Sequence, residues 1–241
     1  MNAEVMHTTI STETARRGAA FAAGARASVG VGIAVAVYGL AFGILARQGG
    51  LSLAEGGLMS LLVFAGASQF VALDMWGPSM SLGVVVLTTL VVNLRHVLMG
   101  ASAASWFEGC SRGKAMLAYF VMIDESWAMT AASRVPMRDK ASFLLGSGIM
   151  LYLCWDLATL AGFLLVPEMD DPARWGLDFV FCAAFLALLA GMYRGRGDLP
   201  TWAVAALCAV TAAEFLPGKW YILVGGMAGG FTEAIKHGRR A

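Results

Sequence analysis

From Met80 to Ala104 the chain is predominantly apolar, and near the middle of that run stand Asn93, Arg95 and His96. A run of that length crosses the ~30 Å hydrocarbon core of a bilayer as a helix rising about 1.5 Å per residue. An arginine at that depth costs on the order of 2.5–3.5 kcal/mol on insertion-based scales, so it is tolerated only against a cavity, a partner or a ligand. The run therefore dictates a membrane helix and marks the first place to look for function.

Composition extends the argument to the whole chain. Of 241 residues 59% are hydrophobic and 14% charged, and mean hydropathy is +0.70. Polar side chains are too few to cover a soluble globule. The expected class is an all-α polytopic membrane helix bundle. Spans are predicted at 27–46, 56–75, 80–104, 115–133, 141–166, 177–193, 200–216 and 219–232, eight in all. The last two are short and separated by Pro217-Gly218. They form two thin spans, tilted half-helices or one re-entrant pair, and seven is the fallback count. Short connections leave one transmembrane domain over 1–241, with residues 1–26 and 233–241 as cytoplasmic ends. Residues 1–26 lack the compact apolar core and cleavage site of a secretion signal. Threading the spans alternately places most of the 17 lysines and arginines, from Arg16 and Arg17 to Arg239 and Arg240, on one side. Both termini are therefore expected in the cytoplasm.

Several function classes are disfavoured. A net charge of +1 gives no basic field for nucleic acid. Cys110, Cys154, Cys182 and Cys208 are scattered, without CxxC or clustered histidines, so neither a disulfide frame nor a metal site is suggested, and no cofactor is implied. An intramembrane enzyme finds no HExxH, no GxSxG and no nucleophile beside a base. A non-transporting assembly or sensor subunit stays open.

Four clusters carry the chemistry. In the second span Gly66, Ala67, Ser68 and Gln69 form a small and polar stretch. It either unwinds to offer backbone groups to a solute or packs closely against a neighbour, and spacing alone favours packing. In the third, Asn93, His96 and Gly100 share a face, while Arg95 projects about 100° away with a donor fork suited to a carboxylate. Asp124 and Glu125 in the fourth span are adjacent acids pointing in different directions. One serves a cavity or a proton, or one neutralises Arg95 as a structural pair. In the fifth, Tyr152, Trp155, Asp156 and Thr159 make a polar and aromatic stripe of the kind that lines a bundle interior. Gly39-xxx-Gly43, Gly225-xxx-Gly229 and Gly226-xxx-Gly230 are packing signals. Trp76, Trp106, Trp175 and Trp220 fall near span ends, where indole favours the interface.

Gly39-Leu40-Ala41-Phe42-Gly43, the stretch Ala65 to Phe70, the stretch Asn93 to Ser102 and Asp124-Glu125, in that order, closely resemble the AzlC/YgaZ family of bacterial branched-chain amino-acid exporter permeases. The likeness runs from about Phe21 to Gly230. It implies export of valine, leucine and isoleucine, with methionine as an extension, across the cytoplasmic membrane, by proton exchange, together with a small AzlD/YgaH-type membrane subunit. On such a carrier the substrate would meet Gly66, Ala67, Ser68, Gln69, Asn93, Arg95, His96 and Trp155. Asp124, Glu125 and Asp156 would be the proton-coupling acids.

Overall fold

The computed structural model describes residues 3–77, 81–165, 186, 189, 190, 193, 195–216 and 220–238. Most of the expected span 177–193, Trp175, Cys182 and Pro217-Gly218 lie outside the described residues. Two compact units divide the chain, residues 1–181 and 182–241. Every regular element among the described residues is helical.

The first unit runs α1 (Ala3–Ala27), α2 (Val29–Gln48), α3 (Leu53–Val63), α4 (Gly66–Asp74), α5 (Leu82–Ala103), α6 (Arg112–Phe120), α7 (Asp124–Ala132) and α8 (Lys140–Leu165). Among the described residues three stretches are long and apolar enough to cross a membrane: Val29–Gln48, Leu82–Phe107 and Met137–Leu165. They match the first, third and fifth expected spans. The second and fourth are each broken in two, α3 from α4 at Phe64-Ala65 and α6 from α7 at Val121 to Ile123. The break in the second span overturns the preference for a continuous, closely packed helix there. The break in the fourth was not foreseen.

α8 is the hub of this unit, with α1 and α2 lying along it and α3, α6 and α7 against its other sides. Small residues make that possible. A Cβ on Gly43 would strike the carbonyl oxygen of Thr159, and one on Gly162 that of Leu40, so α2 and α8 cross backbone to backbone. Gly24 and Gly146 do the same for α1 and α8. Without water to squeeze out between lipid-facing helices, such close contact supplies the dispersion energy that holds them together.

The N-terminal segment, expected only as a polar lead-in, is thus a helix seated on α8. Its Ala20 and Gly24 face inward, and Arg16 Nε lies 3.1 Å from Oδ1 of the buried Asp139. Trp106 also departs from expectation. It is buried with Met99, Ala103, Ala118, Met122 and Leu144, and Lys140 Nζ lies 5.3 Å from its ring centroid.

α3 begins on a reciprocal cap. The Ser52 hydroxyl accepts from the Glu55 amide at 3.2 Å, while Glu55 Oε2 accepts from the Ser52 backbone amide at 2.8 Å and from its hydroxyl at 2.7 Å. The Ser52 amide first, and its hydroxyl second, hold the Glu55 carboxyl below the usual range. A carboxyl depressed by folding stabilises above its unfolded pKa, and that contribution is lost as pH falls through the folded value. The first turn of α3 is therefore expected to exchange amide hydrogens faster in acid, and Ser52→Ala to abolish that dependence. Equal protection of residues 53–56 in variant and wild type would contradict the cap.

In the second unit α9 (Leu199–Phe215) pairs with α10 (Trp220–Gly238). α10 extends to Gly238, so most of the expected tail 233–241 is helical. Gly225 and Gly229 face Ala209 and Ala205 closely, whereas Gly226 and Gly230 meet nothing within 4 Å, so only the first of the two motifs packs. Thr201 donates to Glu233 at 2.7 Å, and Lys236 joins Glu233 at 2.7 Å and Thr201 at 3.0 Å.

Candidate functional site

At the first break Phe64 adopts a left-handed backbone, φ 37° and ψ 47°. That is costly for a bulky non-glycine residue, and its surroundings hold it there. The buried Gln69 spans the gap: its Oε1 accepts from the Ala65 amide at 3.2 Å, and its Nε2 donates to the Met59 carbonyl at 3.3 Å. From α8, Tyr152 donates its hydroxyl to the Leu61 carbonyl at 2.9 Å and sets its ring edge-on to Phe64. The Ser60 hydroxyl donates to Asp156 Oδ1 at 2.5 Å.

Gln69→Leu leaves the buried Ala65 amide without its acceptor and takes a second donor from the Met59 carbonyl, and a buried group left unpaired costs about 1–3 kcal/mol. A clear fall in the thermal midpoint of detergent-solubilised protein is expected. A variant melting with the wild type would show that the break is held by other means.

Beyond the break α4 restarts at Gly66 with no side-chain cap on its N-terminus. The amides of a helix's first turn have no intrahelical acceptor and carry the positive end of its dipole. A Cβ on Gly66 would come within 2.9 Å of the Trp155 indole, which itself packs against Phe42 and Phe70.

α7 also restarts with no side-chain cap on its first-turn amides; the Ser126 hydroxyl accepts from the Ile123 amide at 3.0 Å, and the first turn carries Asp124 and Glu125. α8 closes on this second break too, since a Cβ on Gly148 would meet the Val121 carbonyl.

α5 joins the two breaks. Its Asn93 Oδ1 lies 3.3 Å from the Ser68 hydroxyl in the first turn of α4. Two residues on, and so about 160° around the helix, its Arg95 forms an ion pair and hydrogen bond with Asp124 in the first turn of α7. The side chains of Arg95 and Asp124 are 39% and 44% exposed, so neighbouring helices do not enclose the pair. Arg95 Nε and His96 Nδ1 are buried with no hydrogen-bond partner. Glu125 lies within electrostatic reach of Arg95, Asp124 and Tyr38 of α2.

The geometry therefore gathers Gly66, Ala67, Ser68, Asn93, Arg95, His96, Asp124 and Glu125 around two helix restarts, with Gln69 committed to the backbone. The fifth-span stripe divides. Trp155 and Thr159 turn to α2, where their backbones meet Gly39 and Gly43, while Tyr152 and Asp156 grip the end of α3.

The family model described as AzlC protein matches residues 30–167, from the first turn of α2 to the end of α8. The chain belongs to the AzlC family. All four stretches that carried the resemblance fall inside the matched region. Among relatives of this AzlC-family chain, the branched-chain amino acid transport protein AzlC of Bacillus subtilis (strain 168) is 30% identical over 151 residues, 62% of this chain and 59% of that one. The inner membrane protein YgaZ of Escherichia coli (strain K12) is 29% identical over 201 residues, 80% of this chain and 82% of that one. An uncharacterized membrane protein of Archaeoglobus fulgidus is 33% identical over 159 residues, 64% and 68% of the two. The match thus spans less than two thirds of the B. subtilis relative's length. No solved structure matches.

The sequence of this AzlC-family chain does not single out Ser60 or Tyr38, and it marks Phe42 and Phe70 only within the stretches that carry the resemblance. Ser60 sits among ordinary apolar neighbours, and only the three-dimensional meeting of α3 with α8 singles it out.

Proposed function

We propose that the chain is a secondary-active carrier that exports branched-chain amino acids, valine, leucine and isoleucine with methionine as an extension, by exchange for protons. The observation that carries this reading is the meeting of Asn93 and Arg95 with the first turns of both restarted helices. A zwitterion needs adjacent charges of opposite sign, and an Arg95–Asp124 pair with open flanks offers them. The substrate carboxylate takes the Arg95 fork and the uncapped amides at Gly66 to Ser68, and the ammonium takes Asp124. Broken half-helices around a solute are a recurring arrangement in membrane carriers.

Asp124 being held by Arg95, the exchanged proton falls to Glu125 or Asp156. An apolar pocket separates side chains differing by one methylene by only ~1–3 kcal/mol, so several apolar amino acids compete. The name of the B. subtilis relative supports the substrate class. In this reading the protein lies in the cytoplasmic membrane with both termini inside, and a small AzlD/YgaH-type membrane subunit works beside it.

Reconstituted vesicles loaded with unlabelled leucine should accumulate labelled leucine by counterflow, and excess valine should compete. Flux no greater than that of protein-free vesicles, with or without the small subunit, overturns the assignment.

A further inference from the structure

On α8, Tyr152 and Asp156 stand one turn apart and together hold the last turn of α3 just before it breaks. Asp156 Oδ1 accepts from Ser60 at 2.5 Å, the short end of hydroxyl–carboxylate bonds. Its other oxygen, Oδ2, is buried and has no hydrogen-bond partner. Ser60 also bears on the break directly, because its carbonyl accepts from the amide of the left-handed Phe64 at 3.3 Å. An intramembrane carboxyl with one oxygen unmatched is expensive to keep for structure alone.

We propose that Asp156 is the proton-exchanging carboxyl of the carrier, and that loading it with a proton loosens the grip of α8 on the end of α3. This inference rests on the transport reading above and chooses between the two acids it left. The step is a plain proton transfer. A proton from water joins the Asp156 carboxylate, the negative charge is neutralised, and the Ser60 hydroxyl loses its charged acceptor. Ser60 is then free to turn to its own helix backbone, leaving Tyr152 as the remaining tie from this face. The Phe64-Ala65 break sits between this grip and the Gly66 to Ser68 amides, so a shift of α3 changes how those amides present to a substrate carboxylate. A two-state element biased by both ligands is what obligatory exchange requires.

Few other charges bear on Asp156. Tyr152 lies on its own helix within electrostatic reach. Glu55 is the one charge in α3 and caps its opposite end. Arg47, the one charge in α2, sits with its guanidinium 5.3 Å from the Phe163 ring centroid. Asp124 and Glu125 belong to α7, with Asp124 paired to Arg95.

Difference infrared spectroscopy of the purified full chain across a pH titration tests this without relying on transport. A carbonyl band of a protonated carboxylic acid should appear as pH falls, vanish in Asp156→Asn, persist in Glu125→Gln, and shift in frequency in Ser60→Ala, where the hydroxyl partner is gone. In vesicles, Asp156→Asn should lose the response of leucine flux to an imposed pH gradient. A band that survives Asp156→Asn, or that disappears in Glu125→Gln instead, overturns the proposal. So does a gradient response equal to wild type, or one replaced by sodium dependence. Should Asp156→Asn fail to fold, an unshifted band in Ser60→Ala decides against it. A wild type without leucine counterflow would fail the transport reading, while the infrared titration still judges Asp156 as the titrating acid.

Discussion

Arg95→Lys is expected to lower leucine counterflow by roughly tenfold to a hundredfold, since a hydrogen bond to a charged group is worth about 1.5–3 kcal/mol and 1.4 kcal/mol is a factor of ten. The amount of protein in the membrane should not change. Lysine keeps the charge and therefore the attraction to Asp124, but it presents a point where arginine presents a planar fork. The fork matters because Arg95 has two tasks at once in the proposed carrier: one nitrogen engages Asp124, and the rest of the guanidinium takes the substrate carboxylate. Asp124→Asn should be as damaging for the opposite reason, leaving the guanidinium at membrane depth without its counter-charge. Counterflow unchanged in Arg95→Lys would remove the residue from the substrate site. Loss of protein from the membrane would assign it to assembly.

Gly43→Val should lower the thermal midpoint by roughly 2–12 °C, with overpacking costing about 1–3 kcal/mol and a domain of this size losing ~2–4 °C per kcal/mol. A Cβ there overlaps the Thr159 carbonyl, and backbone cannot swing away as a side chain can. α2 and α8 would have to separate, opening the contact on which Trp155 and Asp156 are positioned. Gly30→Val on the same helix is the control, because a Cβ at Gly30 meets nothing within 4 Å. If both variants melt with the wild type, the α2–α8 crossing is not the stabilising contact described here.

What could be read from the chain itself was whatever declares itself locally. Long apolar runs located α2, α5 and α8 because only helices satisfy their own backbone in lipid. Arg95 stood out by its cost. The small-residue stretch at Gly66 raised the idea of a break, but Phe64 gave no sign of it. A positive φ is ordinarily flagged by glycine, whereas here the Phe64 amide bonds back to Ser60 in its own helix while Gln69 and Tyr152 brace the break from other segments. The break before Asp124 was hidden because Val121, Met122 and Ile123 are ordinary membrane-helix residues. One signal was nonetheless present, since adjacent acids favour the first turn of a helix, and Ser126 two residues later accepts from the Ile123 amide just before it. α1 was unreadable for the opposite reason. Its polarity suggested a solvated lead-in, and its small face becomes meaningful only when matched with Gly146.

The position of α8 in the chain has a consequence for biogenesis. α1 and α2 are made first, yet the surface that accepts both is the last described helix of the unit to leave the ribosome. Until it arrives, Gly24, Gly39 and Gly43 present bare backbone to lipid or to whatever chaperone attends insertion. A nascent chain arrested before Lys140 should therefore be open to crosslinking along that face, and one arrested beyond Leu165 should be closed.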